Sequence, residues 1–415
     1  MPEIIRIAAQ SLLARIQESR RHMQVVAGPR QVGKTTLVQW ALRSSGLPTH
    51  YASADEPGSL SEGWLRQQWE IGRTQAGGAG GTSRGVRKAA AQSRRHVAKG
   101  AVLAIDEIQK LPNWSEQVKR LWDEDTSARR SLRVILLGSS PLLLQKGLTE
   151  SLAGRFEALR VTHWSFEEMR RAFRFDLDKF LVFGGYPGAA PLVRDQARWA
   201  AYVRDSLVDT TINLDVLQLA RIDKPALLRR VFEFACSHSG QQLSYQKMLG
   251  QLQDAGNTVT LAHYLRLLEA AGMVCGIEKF SGDLIRQRGS SPKFQVFNTA
   301  LTSALVGDEP RKLLASPEVR GRLVESAVGA HLVNAAAVGK CRVFYWRERN
   351  LEVDFVVERA GQVIAIEVKS GRRRDGLPGV GAFLKAYPKA RPLLVGADGI
   401  AIDEFLLKPI EEWFV

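Results

Sequence analysis

Apolar runs alternate with helical spacings along the first 160 residues of the chain. Three short apolar runs, Met23–Ala27, Ala101–Ile105 and Arg133–Gly138, are typical of buried parallel strands. A fourth run, His50–Ala54, is predicted to be the second strand in chain order. Thr36–Leu42 has the spacing of a helix that follows the first strand. This alternation predicts an α/β fold with a doubly wound parallel sheet.

The N-terminal residues predict an amphipathic helix that packs on this sheet. Their apolar positions recur at helical spacing, at Ile4, Ile7, Leu12, Leu13 and Ile16.

The middle of the chain is predicted to be helical. A turn-rich break at Phe183–Gly188 precedes a helix pattern through Trp199 and Leu207, which indicates a small helical lid over residues 161–220. Three further helix patterns follow: one begins at Pro225, one covers Ser244–Leu252, and one runs from Thr258 to Gly272.

These three helices precede a β-prone run, Met273–Ile277, and together they resemble a winged helix over residues 221–300. His263, Tyr264 and Arg266 on the third helix are candidates for contact with a DNA groove. Winged helices also serve as protein docking modules and spacers, so both roles stay open. The predicted domains are therefore residues 1–160, 161–220, 221–300 and 301–415.

Composition narrows the classes of partner. The 415 residues include 58 Lys and Arg against 43 Asp and Glu, a formal charge of +15, which favours a polyanionic partner such as DNA. No apolar run approaches the roughly 18 residues that span a bilayer, so no membrane association is expected. Three cysteines without metal-ligand spacing suit a reducing cytoplasm, which is the expected location.

The strongest chemical signal is the phosphate-binding pattern G-x-x-x-x-G-K-[ST] between the first strand and the next helix. Its backbone N–H groups can surround phosphates, Lys34 can reach the β- and γ-phosphates, and the Thr35 hydroxyl can bind Mg²⁺. The sequence thus predicts ATP and Mg²⁺ as cofactors. The predicted nucleotide-binding residues are Gly28, Pro29, Arg30, Gln31, Val32, Gly33, Lys34, Thr35 and Thr36.

Polar residues at the ends of two later strands complete the predicted ATPase site. Asp106 is predicted to hold Mg²⁺ together with Thr35, and Glu107 to polarise the attacking water. The alternative is that these two acids only cap the following helix. Ser139 can contact the γ-phosphate, although serines after strands are also common turn residues. Arg155 is either an arginine finger, acting in cis or on a neighbouring subunit, or a surface arginine.

An unusual segment, residues 72–100, lies between the second and third strands. Its first part is glycine-rich and predicted to be irregular, and its second part contains only basic charges from Arg84 to Lys99. It is either a loop that contacts nucleic acid or a solvated insertion.

A second chemical pattern occupies the last hundred residues. The strand-like runs Arg342–Trp346, Leu351–Val357 and Gln362–Lys369 carry Asp354, Glu367 and Lys369. Glu367 and Lys369 project from one face, and Asp354 is within reach if the last two runs form a hairpin. Asp354 and Glu367 could bind Mg²⁺ and Lys369 could stabilise a phosphodiester in its transition state.

Glu325, on a preceding helix, could add a fourth polar group to this C-terminal set. The alternative is a surface Glu–Lys pair, with Asp354 matched by Arg347 or Arg349.

Taken together, the chain resembles the bacterial and archaeal AAA+-type ATPases that carry a C-terminal DUF4143 domain. The N-terminal part of the resemblance depends on Gly28–Thr35, Leu103–Gln109, Leu137–Ser140, Ser151–Arg155 and Phe183–Gly188. In the C-terminal part, Glu325, Asp354 and Glu367–Lys369 resemble the PD-(D/E)XK nuclease motif. The resemblance implies a P-loop NTPase sheet, a lid, a winged helix and a restriction-endonuclease-like α/β domain. Val353 replaces the proline of the nuclease motif, and segment 72–100 looks longer than the usual connection.

Three functions follow as hypotheses. The first is a Mg²⁺-dependent ATPase that acts on DNA through its C-terminal nuclease-like domain. The second is a Mg²⁺-dependent DNA nuclease that ATP regulates, and the third is a nucleotide-gated protein-interaction module. An arginine finger that acts in trans would require a homo-oligomer.

Overall fold

The computed structural model describes residues 5–56, 61, 63–78, 100–138, 151–217, 222–252, 256–281, 290–307, 309–371 and 376–414. The chain forms two compact units, residues 5–161 and residues 162–415. Each unit has its own sheet and core.

In the described part of the first unit, five parallel strands form one sheet in the order β2-β3-β4-β1-β5. The strands are β1 (Met23–Ala27), β2 (Thr49–Ser53), β3 (Ala101–Asp106), β4 (Leu132–Gly138) and β5 (Phe156–Arg160). The helices are α1 (Ile7–Gln17), α2 (Lys34–Ser44), α3 (Trp64–Gly78) and α4 (Trp114–Ser127). All four predicted strands are confirmed; β1, β3 and β4 are almost wholly buried, as apolar runs in a parallel sheet should be, whereas β2 is mostly half-buried.

Apolar side chains cover both faces of this sheet. Every residue of β3 and β4 is buried. On one face Trp69, Trp114 and Trp122 belong to the core, and on the other face Leu12 and Ile16 of α1 do. The predicted N-terminal helix is therefore present, although Ile7 is exposed and Ile4 lies outside the described residues.

The prediction that the glycine-rich start of segment 72–100 is irregular is wrong for residues 72–78. These residues complete α3. Arg73 is buried there and donates to the carboxylate of Asp125 at 2.7 Å, and Gly72 faces Leu132 so closely that an added Cβ would lie 3.2 Å from its Cδ1. Packing thus outweighs the weak helix propensity of glycine. Residues 79–99 lie outside the described residues, so the basic part of the segment stays a prediction.

The described part of the second unit contains a six-stranded mixed sheet in the order β11-β10-β9-β8-β6-β7. Its strands are β6 (Val274–Lys279), β7 (Lys293–Val296), β8 (Arg342–Glu348), β9 (Leu351–Arg359), β10 (Gln362–Lys369) and β11 (Arg391–Gly396). β8, β9 and β10 are antiparallel in succession, and β11 is parallel to β10.

The helices of this unit surround the sheet. They are α5 (Phe166–Phe173), α6 (Leu177–Phe183), α7 (Gln196–Ala201), α8 (Pro225–Ser237), α9 (Tyr245–Gln251), α10 (Thr258–Ala270), α11 (Ala300–Ser303), α12 (Pro317–Ala337), α13 (Pro378–Ala386) and α14 (Ile402–Leu407). Two π-helical stretches, Tyr202–Asp209 and Thr211–Val216, prolong α7.

Short 3₁₀ turns complete the described helical structure of the chain. One, Ile108–Lys110, follows β3 in the first unit. Three lie in the second unit, at Ala190–Leu192, Pro310–Ala315 and Ile410–Phe414.

Three helices and a hairpin are found in the segment predicted to resemble a winged helix. Pro225 is the first residue of α8, and the Ser244 side chain caps α9 by accepting from Lys247 N–H. The hairpin of β6 and β7, however, also pairs in parallel with β8, so it belongs to the same sheet as the C-terminal strands.

The proposed reading of DNA by Tyr264 is wrong. Its side chain is buried in the unit, whereas Arg266 is exposed. The reason is helical spacing, because Tyr264 follows Leu261 by three residues and therefore shares its apolar face.

None of the described helices is both long and apolar enough to cross a membrane.

Candidate functional site

The phosphate-binding loop lies between β1 and α2, as its pattern predicts. Gly33 has φ 85°, a left-handed conformation that side chains other than glycine rarely adopt. At Gly28 an added Cβ would lie 2.1 Å from the Val161 carbonyl oxygen, so only glycine fits beside the end of β5. Lys34 begins α2, where backbone N–H groups and the helix dipole favour an anion.

Lys34 is buried at the base of this loop. Its Nζ donates to the carbonyl oxygens of Gly28 at 2.9 Å and Pro29 at 2.8 Å. These bonds hold the ammonium group inside the loop, where the positive charge can neutralise the phosphates of a nucleotide.

Asp106 accepts hydrogen bonds from three residues of the site. Its Oδ2 accepts from the Thr35 hydroxyl at 2.8 Å and from the Tyr51 hydroxyl at 2.6 Å. Its Oδ1 accepts from Glu107 N–H at 2.8 Å. The contact with Thr35 brings together the two residues predicted to hold Mg²⁺.

Tyr51 was not among the predicted site residues. Burial, together with its hydrogen bond to Asp106, raises the pKa of Tyr51 above its usual value, so it remains a neutral donor. Its contact could not be read from the sequence, because β2 and β3 become neighbours only when the sheet forms.

Glu107 adopts a left-handed backbone conformation, with φ 52°. Its carboxylate accepts from the side-chain amide of Gln109 and makes no capping bond to the Ile108–Lys110 turn that follows. The alternative in which Glu107 only caps a helix is therefore not what the structure contains. The unusual φ is a local strain of the kind that is found at functional sites.

Two further predicted ATPase residues are Ser139 and Arg155. Ser139 lies outside the described residues. Arg155 is partly exposed, and its guanidinium binds both carboxylate oxygens of Asp123, at 2.9 and 3.1 Å. Its role as an arginine finger stays a prediction.

The predicted C-terminal residues converge in the second unit. β9 and β10 form the hairpin that the sequence analysis required, with Phe355 opposite Ile366. Asp354 accepts from Val368 N–H at 2.8 Å through Oδ2, and Glu367 pairs with Lys369 at 2.7 Å. Within the described ranges Asp354 forms no ion pair with Arg347 or Arg349, which was the alternative reading.

A buried lysine, Lys293 on β7, joins this cluster. Its Nζ donates to Glu325 Oε1 at 2.6 Å and to the Asp354 carbonyl oxygen at 3.0 Å, and lies 4.5 Å from the centre of the Phe355 ring. The sequence analysis missed it, although a lysine in the mostly apolar run 292–297, where Gln295 is the other polar residue, was a usable signal.

Burial and neighbouring charges shift the pKa values of the cluster. Burial, with a contribution from the Asp354 charge, raises the pKa values of both Glu325 and Glu367. Burial lowers the pKa of Lys293, but Glu325 and Asp354 more than compensate, so the net shift is upward and the ammonium stays charged.

Metal binding by this cluster would have to use few side chains. Nowhere in the described part of the chain are three or more His, Cys, Asp or Glu side chains arranged to hold a metal ion. Glu367 Oε2 is buried without a hydrogen-bond partner among the described residues, so it is one oxygen that could bind a cation.

Comparisons with known families cover most of the chain. Residues 20–170 match the family described as AAA domain. Residues 174–312 and 320–401 match two domains of unknown function, DUF8612 and DUF4143. The resemblance to an AAA-type ATPase with a C-terminal DUF4143 domain is thereby confirmed. The first unit has the five-stranded parallel sheet and the phosphate-binding loop of a P-loop NTPase fold.

Individual relatives are distant. An uncharacterized protein of Mycobacterium tuberculosis is 27% identical over 271 residues, which is 65% of this chain and 58% of the relative. A Walker-type ATPase of Pyrococcus abyssi is 16% identical, with a TM-score of 0.46 over 73% of this chain and 96% of that one. The RuvB Holliday junction branch migration motor of Thermotoga maritima is 18% identical, with a TM-score of 0.32 over 65% and 86%.

Proposed function

We propose that this protein is a Mg²⁺-dependent ATPase of the cytoplasm whose nucleotide cycle acts on DNA through the C-terminal domain. The observation that supports the ATPase most directly is the 2.8 Å hydrogen bond between Thr35 and Asp106, close to the buried Lys34. A hydroxyl and a carboxylate that meet at the start of a phosphate-binding helix are the protein ligands a nucleotide-bound Mg²⁺ uses.

Each residue has a distinct role in this proposal. Lys34 neutralises phosphate charge, and Thr35 and Asp106 hold the Mg²⁺, which would offset the charge that develops on the phosphates. Glu107 orients and polarises the attacking water, Ser139 contacts the γ-phosphate, and Gly28–Thr36 surround the nucleotide through their backbone.

Two substitutions test these roles. Lys34→Ala is expected to abolish ATP binding measured by calorimetry, whereas Glu107→Gln is expected to bind ATP and to hydrolyse it at least about a hundredfold more slowly. Lys119→Ala, on the exposed face of α4, is the matched control for loss of a lysine and is expected to change neither. Hydrolysis by Glu107→Gln at the parent rate would exclude Glu107 as the base.

DNA is proposed as the partner because of the chain's charge of +15. A mobility-shift series over salt concentration, with and without ATP, tests this. Phosphate contacts predict affinity that falls steeply as salt rises. Absence of DNA binding at low salt would instead favour the nucleotide-gated protein-interaction module.

A further part of the proposal is a homo-oligomer in which Arg155 acts on the ATP site of a neighbouring subunit. Sedimentation of the protein with ADP and with a non-hydrolysable ATP analogue tests this assembly. Arg155→Ala is expected to reduce hydrolysis without reducing ATP binding. A chain that hydrolyses ATP and sediments as a monomer in both states would exclude action in trans.

A second candidate function is a Mg²⁺-dependent DNA nuclease that ATP regulates. It is supported by the convergence of Asp354, Glu367 and Lys369, and by the succession of α12, three antiparallel strands, α13 and the parallel strand β11, which fits a restriction-endonuclease-like domain. Asp354→Asn and Lys369→Ala are each expected to abolish cleavage, while Lys385→Ala, on exposed α13 surface, is expected to leave it unchanged. If branched, single-stranded and duplex DNA all stay intact with Mg²⁺ or Mn²⁺, this candidate fails.

A further inference from the structure

Lys293 links two parts of the chain that match different families. It lies on β7, within the residues that match DUF8612, whereas Glu325, Asp354, Glu367 and Lys369 all lie within the DUF4143 match. Its side chain is almost completely buried, with 4% exposed, and it ends against Glu325. Burying an ammonium group is costly unless a charge of opposite sign compensates it, so the contact with Glu325 is one the fold has to maintain.

The other carboxylates of the cluster are only partly satisfied. Asp354 has one oxygen bonded to Val368 N–H, and Glu367 has one oxygen paired with Lys369. The second oxygen of Glu367 is buried, and no described residue hydrogen-bonds to it. Glu367 as a whole is 8% exposed, so this oxygen is shielded from bulk solvent and has no hydrogen-bond partner among the described residues.

The charged groups of the cluster leave an excess of negative charge. Glu325, Asp354 and Glu367 carry three negative charges when ionised, against the two positive charges of Lys293 and Lys369. Glu352, which is exposed, adds a further negative charge at the edge of this cluster. Lys293 therefore neutralises Glu325, and the negative charge that remains is on the Asp354 and Glu367 side.

We propose that Lys293 is a built-in counter-ion that keeps Glu325 out of metal coordination and so restricts the cluster to one divalent cation, held by Asp354 and Glu367. This inference rests on the second candidate function, since it concerns the cation site of the same cluster. It assigns Lys293 as a positioning residue, which acts through Glu325 and does not touch substrate.

Manganese binding to the full-length protein tests the proposal without relying on catalysis. All chains carry Asp106→Asn, which removes the metal ligand of the ATPase site, and nucleotide is left out. The amount of bound Mn²⁺ per chain is measured from the loss of the free-ion signal in electron paramagnetic resonance. The parent is expected to bind one Mn²⁺ at the cluster, and Glu367→Gln is expected to bind none.

Lys293→Met keeps the length and apolar stem of the side chain and removes its charge. It is expected to bind a second Mn²⁺, or to bind the first about tenfold or more tightly, because Glu325 becomes available and a nearby positive charge is lost. Lys293→Arg keeps the charge and is expected to behave like the parent. A change in Mn²⁺ number is a readout that a merely structural lysine would not produce.

The double variant Lys293→Met with Glu325→Gln guards against misfolding, because it removes both charges and leaves neither one buried alone. It is expected to fold and to return to one Mn²⁺. Equal Mn²⁺ number and affinity in parent, Lys293→Met and the double variant would overturn the counter-ion role and leave the nuclease candidate standing. Absence of Mn²⁺ binding in every chain would overturn both, while the ATPase proposal would be unaffected.

Discussion

Tyr51 donates a 2.6 Å hydrogen bond to Oδ2 of Asp106, the same oxygen that accepts from Thr35. The two hydroxyl groups come from β2 and from the start of α2, on either side of the carboxylate. Glu107 N–H donates to the other oxygen, Oδ1. Both carboxylate oxygens of Asp106 are therefore hydrogen-bonded, and the carboxylate cannot rotate freely.

Loss of the Tyr51 hydroxyl is therefore expected to weaken the response to Mg²⁺. In Tyr51→Phe the Mg²⁺ concentration that gives half-maximal ATP hydrolysis should rise about tenfold, corresponding to about 1.5 kcal/mol for one hydrogen bond to a charged group. ADP binding without Mg²⁺ should not change. Tyr387→Phe, in the other unit, is the control, and an unaltered Mg²⁺ requirement in Tyr51→Phe would contradict the role given to Tyr51.

Gly28 is expected to tolerate no side chain. In Gly28→Ala the new Cβ would lie 2.1 Å from a backbone oxygen, which cannot move without displacing β5. Overpacking of this kind costs about 1–3 kcal/mol of unfolding free energy, and ATP affinity should fall with it. Gly77→Ala in α3, where nothing lies near the added Cβ, should leave both thermal unfolding and ATP affinity unchanged or slightly improved.

The first unit also depends on a buried ion-pair network centred on Asp125, which has no exposed surface. Asp125 accepts from Trp69 Nε1 at 2.8 Å, from Arg73 Nε at 2.7 Å and from Arg130 at 3.1 Å. Asp125→Ala leaves Trp69 Nε1 and Arg73 Nε without an acceptor, while Glu70 and Glu124 still pair with Arg73, so unfolding free energy should fall by about 3 kcal/mol in urea titration. Glu116→Gln, on the exposed part of the same helix, should cost less than about 0.5 kcal/mol, and a similar small loss in Asp125→Ala would refute the network's importance.

The second unit should lose stability in mild acid because of His331. Burial lowers the pKa of His331 from 6.5 to about 4, its ring packs edge-on against Phe405, and its Nε2 has no hydrogen-bond partner among the described residues. The unfolded chain binds a proton near pH 6.5, whereas the folded chain does not until about pH 4.

His331 therefore contributes its full stability above pH 6.5, and that contribution falls as the pH is lowered toward 4, by at most about 3 kcal/mol. Thermal unfolding from pH 7.5 to 4.5 should show a smaller fall in His331→Gln than in the parent. The partly exposed His238, changed in the same way, is the control. Parallel pH profiles for the parent and His331→Gln would show that His331 does not cause the effect.

Four of the five strands of the first sheet and the phosphate-binding loop could be predicted from the sequence because their signals are local, whereas β5 was not predicted. Five or six neighbouring apolar residues define a buried strand, and eight residues define the loop. Contacts between residues far apart in the chain depend on how the strands are ordered: Tyr51 and Asp106 of the first unit are 55 residues apart, and Lys293 and Glu325 of the second unit are 32 apart. No spacing rule reports such contacts.

The error over Tyr264 had a different origin, since the relevant signal was available. Leu261, Tyr264, Leu265 and Leu268 fall on one apolar face of α10, and this periodicity already indicated that the ring points into the core. The helix count was right, but the face that meets solvent was assigned from residue type and not from spacing.

The sheet of the second unit is built from two segments of the chain that match different families. Strands β6 and β7 lie within the residues that match DUF8612, while their neighbour β8 belongs to the DUF4143 match. Replacing either segment with a foreign counterpart would disturb the pairing of β6 with β8 and expose an unpaired strand edge. It would also break the contact between Lys293 and Glu325. Chimeras joined near residue 316 that take the two segments from different parents are therefore expected to fold poorly, so the two segments act as one structural unit.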